Sequence, residues 1–524
     1  MSNQLLMQQK AGLNILENNK LQLLNDLPQI LSLAKKEKKS VVHCHGVFDL
    51  LHLGHILYFQ EAKTFGDLLV VTLTKDEYVN KGPNRPAFRI DQRIAAIAAL
   101  ESVDYVAIND WETAEETIKL ISPDIYCKGP DYKDLLSDTT GKISAEKEAI
   151  ESVGGEIKFT TGEMHSSSKL LNQFGFIFNQ QQSDFINNLR KTTSAAMLSR
   201  DLENFKDLNV LVVGEVIVDE YVFCEALGKS GKEPVLALRD IYTERYSGGA
   251  AAVARHLADF CGSVSLVSML GEDGEEREFF DDSFSKFNIN SHFINKKNSP
   301  TIIKRRFVDK ISNHKTLGVY SLNDDPLVNK EEQELKSYLE KNIEHFDLVI
   351  IVDYGHGFIS EEVAQLIIRK SRFASVNAQI NAANLRYHSI AKYQNIDCIV
   401  INEAELRHEL RERNKDLDIL MNDFSDQIGT NLLAVTQGSS GVKLNIQDSK
   451  EVIHCPAFAS TVVDKVGSGD AMLAILSLAM LKNLEPDSAL FLSSLAAVQS
   501  VETFGNKESI SKVKLIKTME HVLK

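Results

Sequence analysis

The chain is poor in cysteine, has no long apolar run and carries no excess of positive charge, and each shortage excludes something. Its six cysteines (44, 127, 224, 261, 398 and 455) are scattered without a C-x-x-C pair, which argues against a zinc ribbon and against a disulfide framework. The longest apolar helical stretch, Ala471 to Leu481, is too short to span a bilayer, and the first residues lack the charged-then-apolar order of a signal peptide. A formal net charge of −15 weighs against broad nucleic-acid binding. Phosphate ligands would then have to be drawn by local basic groups such as Lys81, Arg85 and Lys128. No internal repeat is evident. The expectation is a soluble cytoplasmic protein with neither a membrane nor a nucleic acid as partner.

At 524 residues the chain is too long for one typical core, so two domains are expected with a connecting segment. Residues 1–38 read as helical, with leucines spaced for amphipathic helices and Asp26 before Pro28 as a cap and start. From Ser40 the pattern becomes strand, loop, helix, strand: an apolar run to His45, a helix-like segment from His55 closed by Gly66, and a second run from Leu68 to Thr74. That is the start of a parallel α/β unit. His43-Cys44-His45 invites a metal reading, but alternate strand residues point to opposite faces, which weighs against it.

Between strand and helix lies Gly46-Val47-Phe48-Asp49-Leu50-Leu51-His52-Leu53-Gly54-His55. His52 and His55 fall at i and i+3 at a helix entrance, beside backbone N–H groups that no intrahelical carbonyl satisfies. Amide donors, the helix dipole and two imidazoles would together hold an anion there. Gly54 would let a phosphate approach the backbone closely. The bland alternative is two surface histidines on an ordinary helix.

Further along, Asp464-Lys465-Val466-Gly467-Ser468-Gly469-Asp470 opens the apolar helix from Ala471. Glycines at a helix start build a nest of N–H groups, and the Asp470 carboxylate stands at its mouth. Such an arrangement suits γ-phosphate transfer to an alcohol, with the carboxylate accepting the hydroxyl proton. A plain helix cap is the alternative. A dinucleotide site fits poorly, since the third glycine of its fingerprint is absent.

The first stretch resembles the cytidylyltransferase-type nucleotidyltransferases, whose signature G-x-F-D-x-x-H-x-G-H is matched at every position. The resemblance continues in Lys81-Gly82-x-x-Arg85-Pro86, Asp91-Gln92-Arg93, Val103-Asp104, Pro123-Asp124 and Cys127-Lys128-Gly129-x-Asp131-Tyr132, and ends at Ser166-Ser167-Ser168-Lys169. It implies a Rossmann-like domain over 39–172, with His52, His55 and Lys81 catalytic. Gly46, Phe48, Asp49, Gly54, Arg85, Lys128, Gly129, Ser166, Ser167 and Ser168 would bind ATP or CTP.

A second likeness, over about 208–520, is to the ribokinase/PfkB sugar kinases. It implies a ribokinase-like fold over 208–524, with Asp470 as the base and Gly467, Ser468 and Gly469 as the anion hole. Thr436, Gly438 and Gly441 match the nucleotide motif T-x-G-x-x-G, and Asp219, Gly248 and Gly249 the sugar-binding positions. Asn402 and Glu405 match the magnesium-linked N-x-x-E, which acts through water. Residues 173–207 would be a partly helical connector docked on one domain.

Together the two halves resemble the bifunctional heptose-phosphate kinase/heptose-1-phosphate adenylyltransferase family, with the domain order reversed. The resemblance implies a kinase using ATP and Mg2+ and a nucleotidyltransferase acting in succession. They would make a nucleoside-diphosphate-activated, heptose-like sugar for surface polysaccharide from a sugar or sugar phosphate, and a homodimer is compatible with it. Four positions depart from that family. Ala252 stands where an asparagine hydrogen-bonds a sugar hydroxyl, His356 replaces a lysine, and Asn377 and Gln379 replace an aspartate and a lysine. Two further readings therefore stay open: an active transferase fused to a degenerate, ligand-binding kinase-like domain, and an assembly protein.

Overall fold

The computed structural model describes residues 20–79, 85–129, 142–161, 178–229, 235–272, 274–381, 384, 388–459 and 462–524. The chain forms two compact units, with the division between Asn179 and Gln180.

In the first unit β1 (Val41–Gly46), β2 (Leu68–Thr74), β3 (Tyr105–Asn109), β4 (Ile125–Lys128) and β5 (Glu156–Phe159) form one sheet in the order β3-β2-β1-β4-β5. All its pairings are parallel. Parallel strands need crossovers, and the helices Leu53–Lys63, Ile90–Ala98, Glu115–Ile121 and Lys142–Ser152 supply them. Where both sheet faces are covered a strand is buried almost throughout; β2 is Leu-Leu-Val-Val-Thr-Leu-Thr with only Leu68 part-exposed. Strand order reverses between β1 and β4, so their carboxyl ends open a crevice.

Two local expectations need correction. Asp26 precedes the helix Leu27–Lys36 but makes no side-chain cap, because its own backbone is already helical as the last residue of the short turn Leu24–Asp26. His43 and His45, two residues apart, share one face of β1, where Nε2 of the first and Nδ1 of the second meet the Thr72 hydroxyl at 2.8 and 2.9 Å. It is Cys44 that points the other way.

The second unit begins with the helices Gln180–Thr192 and Ala195–Glu203. Its main sheet has nine strands: β6 (Asn209–Gly214), β9 (Ser263–Leu270), β10 (Ile289–Asn295), β13 (Leu348–Asp353), β14 (Ala374–Ala378), β15 (Cys398–Asn402), β16 (Leu432–Thr436), β17 (Val442–Ile446) and β18 (Glu451–Cys455). Their order is β10-β9-β6-β13-β14-β15-β16-β17-β18. A separate sheet in the order β12-β11-β7-β8 is made by β7 (Val216–Lys229), β8 (Leu236–Gly249), β11 (Ile303–Asp309) and β12 (Lys315–Ser321). Every residue of β12, which forms one edge of that sheet, is exposed. Helices Ser468–Leu481 and Pro486–Val501 are almost wholly buried, which explains why they are apolar all round instead of amphipathic.

Candidate active sites

In the first unit, His52 occupies the N-cap of Leu53–Lys63 and its carbonyl accepts the N–H groups of His55 and Ile56. The two imidazoles stack with centroids 4.0 Å apart and an interplanar angle of 24°. Phe48 adopts a left-handed backbone (φ 49) and turns its ring edge-on against His55 at 5.4 Å and onto Phe59 at 5.0 Å. A side chain rarely takes that conformation without being held in it. Gly46 makes room for the Phe48 ring, whose nearest atom would lie 3.0 Å from a Cβ there. Phe48 and Gly46 thus hold His55 in place from below.

Asp49 and Arg85, expected among the nucleotide-binding groups, face each other in a buried pair at 3.0 Å, and Asp49 also accepts the Phe88 N–H. Lys128 is paired with Glu146 at 2.8 Å and lies over the Tyr126 ring. In this state all three charged groups serve the loops around the crevice. Gly54 lies in the first turn of the helix and Gly129 directly follows β4, where a Cβ would meet nothing within 4 Å. Lys81, Ser166, Ser167 and Ser168 lie outside the described residues.

Arg93 was quoted within a motif but given no role. It is 2 % exposed, and its guanidinium donates to the carbonyls of Phe88 and Thr74 at 2.9 Å, to Val47 O and to Asp76. One buried cation ties the signature loop to the end of β2. Its partners are 5 to 46 residues away, and spacing alone does not expose such a link.

In the second unit a cavity of about 800 Å³ brings together Asp219, Gly249, Asn402, Glu405, Thr436, Gly467, Ser468, Gly469 and Asp470, all expected at one site. Asp470 lies in the first turn of Ser468–Leu481, where it is buried and accepts the Tyr354 hydroxyl at 3.0 Å. Burial pushes its carboxyl up to about 7; the Tyr354 hydrogen bond opposes this, Asp219 adds to it and Lys304 opposes it. Gly467 precedes the helix with φ 90, and a Cβ there would come within 2.2 Å of Asn506 Oδ1, so both backbone and space require glycine.

Asp219 is held by Arg306 Nη1 at 2.5 Å and by Asn506 Nδ2 at 3.0 Å. Gly248 leaves the room, since a Cβ there would lie 2.0 Å from Asp219 Oδ2. Lys304, Arg306 and Lys315 also line the cavity. Lys304 and Arg306 alternate along β11, the one signal that could have announced them. Lys315 pairs with Asp464 at 2.6 Å, a carboxylate that also accepts the Tyr221 hydroxyl.

Asn402 and Glu405 form a reciprocal capping box: Glu405 N–H donates to Asn402 Oδ1 and Asn402 N–H to Glu405 Oε2, both at 2.9 Å. Glu405 is buried with no cation among its partners, and burial raises its carboxyl to about 7. Among the described residues no group of three or more His, Cys, Asp or Glu is placed to hold a metal ion. A lone buried carboxylate lining a cavity fits a cation bound through water. Gly438 and Gly441 follow Thr436, both with positive φ. Of the departures, Asn377 and Gln379 line the cavity, with Asn377 donating to Val400 O, whereas His356 turns its Nδ1 to Asp324 at 2.6 Å. Ala252 is buried in the helix Ala250–Ala258.

Residues 207–513 match the model of the pfkB family carbohydrate kinases. The chain belongs to that family. Residues 43–186 match the cytidylyltransferase-like model. Both halves of the α/β fold expectation therefore stand. The bifunctional protein HldE of Koribacter versatilis is 27% identical over 320 residues, covering 60% of this chain and 64% of that protein. HldE of Syntrophotalea carbinolica is 38% identical over 143 residues, 27% of this chain and 28% of that protein. The chain thus spans less than two thirds of the length of these relatives in either alignment. Neither alignment can take in both matched regions, and a reversed domain order finds no support in them. Among solved structures, phosphofructokinase-2 from Escherichia coli in complex with substrates and products is 16% identical with a TM-score of 0.49, covering 61% of this chain and all of that one. Among the described residues no helix is long and apolar enough to cross a membrane.

Proposed function

We propose that this pfkB-family chain phosphorylates a sugar or sugar phosphate in its second unit and attaches a nucleotide to a sugar phosphate in its first. The product is a nucleoside-diphosphate sugar, heptose-like by the kinship with HldE. The observation that carries the reading is the convergence of Asp470, the glycine-rich helix start and Asp219 on one cavity. The acceptor alcohol, held by Asp219, attacks the γ-phosphorus of ATP; its proton passes to the Asp470 carboxylate, the bond to the β-phosphate oxygen breaks and ADP leaves. The N–H groups of Gly467, Ser468 and Gly469 stabilise the transferring phosphoryl group. Asn402 and Glu405 would hold magnesium through water, and the bound ion would supply neutralising charge to the nucleotide phosphates.

In the first unit a phosphate oxygen of the sugar phosphate attacks the α-phosphorus of ATP or CTP, and pyrophosphate leaves without a covalent enzyme intermediate. His52 and His55 stabilise the shifting phosphate charge, with Lys81, Lys128 and Ser167 assisting. For Lys128 this requires exchanging Glu146 for phosphate. Incubation with a panel of sugars, sugar phosphates and each NTP, with products identified by mass, tests the whole reading. His55→Ala should lower pyrophosphate release about 10²-fold or more and accumulate the phosphorylated intermediate. Near-normal release would remove the histidines from the mechanism. Should the wild type turn over no ATP with any acceptor, the second unit is a ligand-binding relic.

A further inference from the structure

The asparagine missing at position 252 leaves the acceptor side of the kinase cavity without an amide from the helix Ala250–Ala258. An amide from another element reaches the Asp219 carboxylate in that cavity. Asn506, in the loop after Pro486–Val501, is 3 % exposed, lines the cavity and donates from Nδ2 to Asp219 Oδ2 at 3.0 Å. Among the described residues its Oδ1 meets no hydrogen-bond donor, and it stands over Gly467, the residue that opens the anion hole. Its main chain is clamped: Arg255 Nη1 donates to Asn506 O and to Ser247 Oγ, both at 3.0 Å. Gly248 and Gly467 are the two positions where a side chain would collide with this bridge, at 3.3 Å from Nδ2 and 2.2 Å from Oδ1.

We infer that Asn506 is the positioning residue that holds Asp219 in register with the Gly467-Ser468-Gly469 start of the helix. Asp219 has two oxygens, and Arg306 and Asn506 take one each. With both constrained, the remaining lone pairs point in one direction, and the acceptor hydroxyl is delivered at a fixed distance from the phosphoryl group. A hydrogen bond to a charged group is strong enough that its loss changes an equilibrium by about tenfold or more. Since the Asp219 carboxylate orients the acceptor and not the nucleotide, the loss should fall on one substrate.

This inference rests on the kinase reading, and the experiment separates the two. ADP release by the full chain is measured at pH 6 and pH 8 with ATP and the most active acceptor from a panel of sugars and sugar phosphates, heptose phosphates included. Asn506→Asp is nearly isosteric but sets a second carboxylate against Asp219. At pH 8 it should raise the acceptor KM about tenfold or more while leaving the ATP KM within about twofold. At pH 6 the ratio to wild type should shrink, because two carboxylates sharing a site retain a proton that restores the donor. Asn506→Ala, which has no donor to restore, should show the rise at both pH values. Equal rises in both KM values would mean a general disturbance and overturn the inference, as would an unchanged acceptor KM in an active variant. A wild type that releases no ADP with any acceptor of the panel overturns the kinase reading and the inference with it.

Discussion

The Tyr354 hydroxyl donates to Asp470 Oδ1 at 3.0 Å, from the residue that follows β13 to the first turn of the helix Ser468–Leu481. That bond stabilises the ionised carboxylate, and burial works against it. Burial is the larger effect, and the carboxyl is held near 7. A base must be ionised to accept a proton, so sugar-dependent ATP turnover should rise with pH through about 7 and level off above it. Asp470→Asn keeps the shape and an oxygen for Tyr354 but cannot take the proton, and turnover should fall about 10²- to 10⁴-fold above pH 7 and by less below it, where the wild-type carboxyl is itself protonated. A pH profile flat between 6 and 8 would separate the measured step from this carboxyl.

The same group links pH to stability. In the folded state Asp470 keeps its proton to about 7, against an ordinary value of 3.8, so between those values the native state binds more protons than the unfolded one. Stability from this group is present below pH 4 and is lost as pH rises towards 7. Buried His256, whose burial lowers it to about 3, acts with the opposite sign, so the difference between variant and wild type isolates Asp470. Asp470→Asn should melt close to wild type near pH 4 and a few degrees higher at pH 8. A variant less stable than wild type at pH 8 would contradict the sign.

Arg93 supports the signature loop through three carbonyls and one carboxylate, nearly all out of water. Arg93→Met removes the cation and strands its partners, a change that typically costs about 3–5 kcal/mol for a buried ion. The first unit should then unfold at lower urea while the second keeps its own transition. Two unchanged transitions would show that the loop does not depend on this residue.

The parts legible in the sequence are local: a signature loop, a helix start, a nucleotide turn, each set by neighbours in the chain. The G-x-G-D stretch opens Ser468–Leu481 because glycine conformation and an apolar run are both written within fourteen residues. What escaped notice is set by tertiary pairing. The pairing of Asp49 with Arg85 and the meeting of the Asn506 amide with Asp219, 287 positions earlier, are not written in any local spacing. Glu405 belongs to both kinds: its spacing from Asn402 is that of a helix cap, and its burial in the cavity, which raises its carboxyl to about 7, is set by tertiary packing.

The position of the helix Gln180–Thr192 leads to the last prediction. The Asn/Gln-rich stretch is expected to be a partly helical connector docked on one domain; in this helix Ile186 and Leu189 are buried and Gln182 Nε2 donates to Ala457 O at 2.6 Å. Phe185 adds ring contacts with Phe458 and Phe491 at 6.3 and 6.4 Å. Each large apolar side chain so buried contributes about 1.5–3 kcal/mol. The helix therefore belongs energetically to the second unit, and where the chain is cut should matter. A fragment beginning at Asn179 should be soluble and melt cooperatively, with sugar-dependent ATP turnover like that of the whole chain. One beginning at Leu208 loses the helix, exposes Phe458 and Phe491, and should melt lower or aggregate. Equal stability of the two fragments would show that the helix is a tether after all, and insolubility of both would mean that the second unit does not fold without the first.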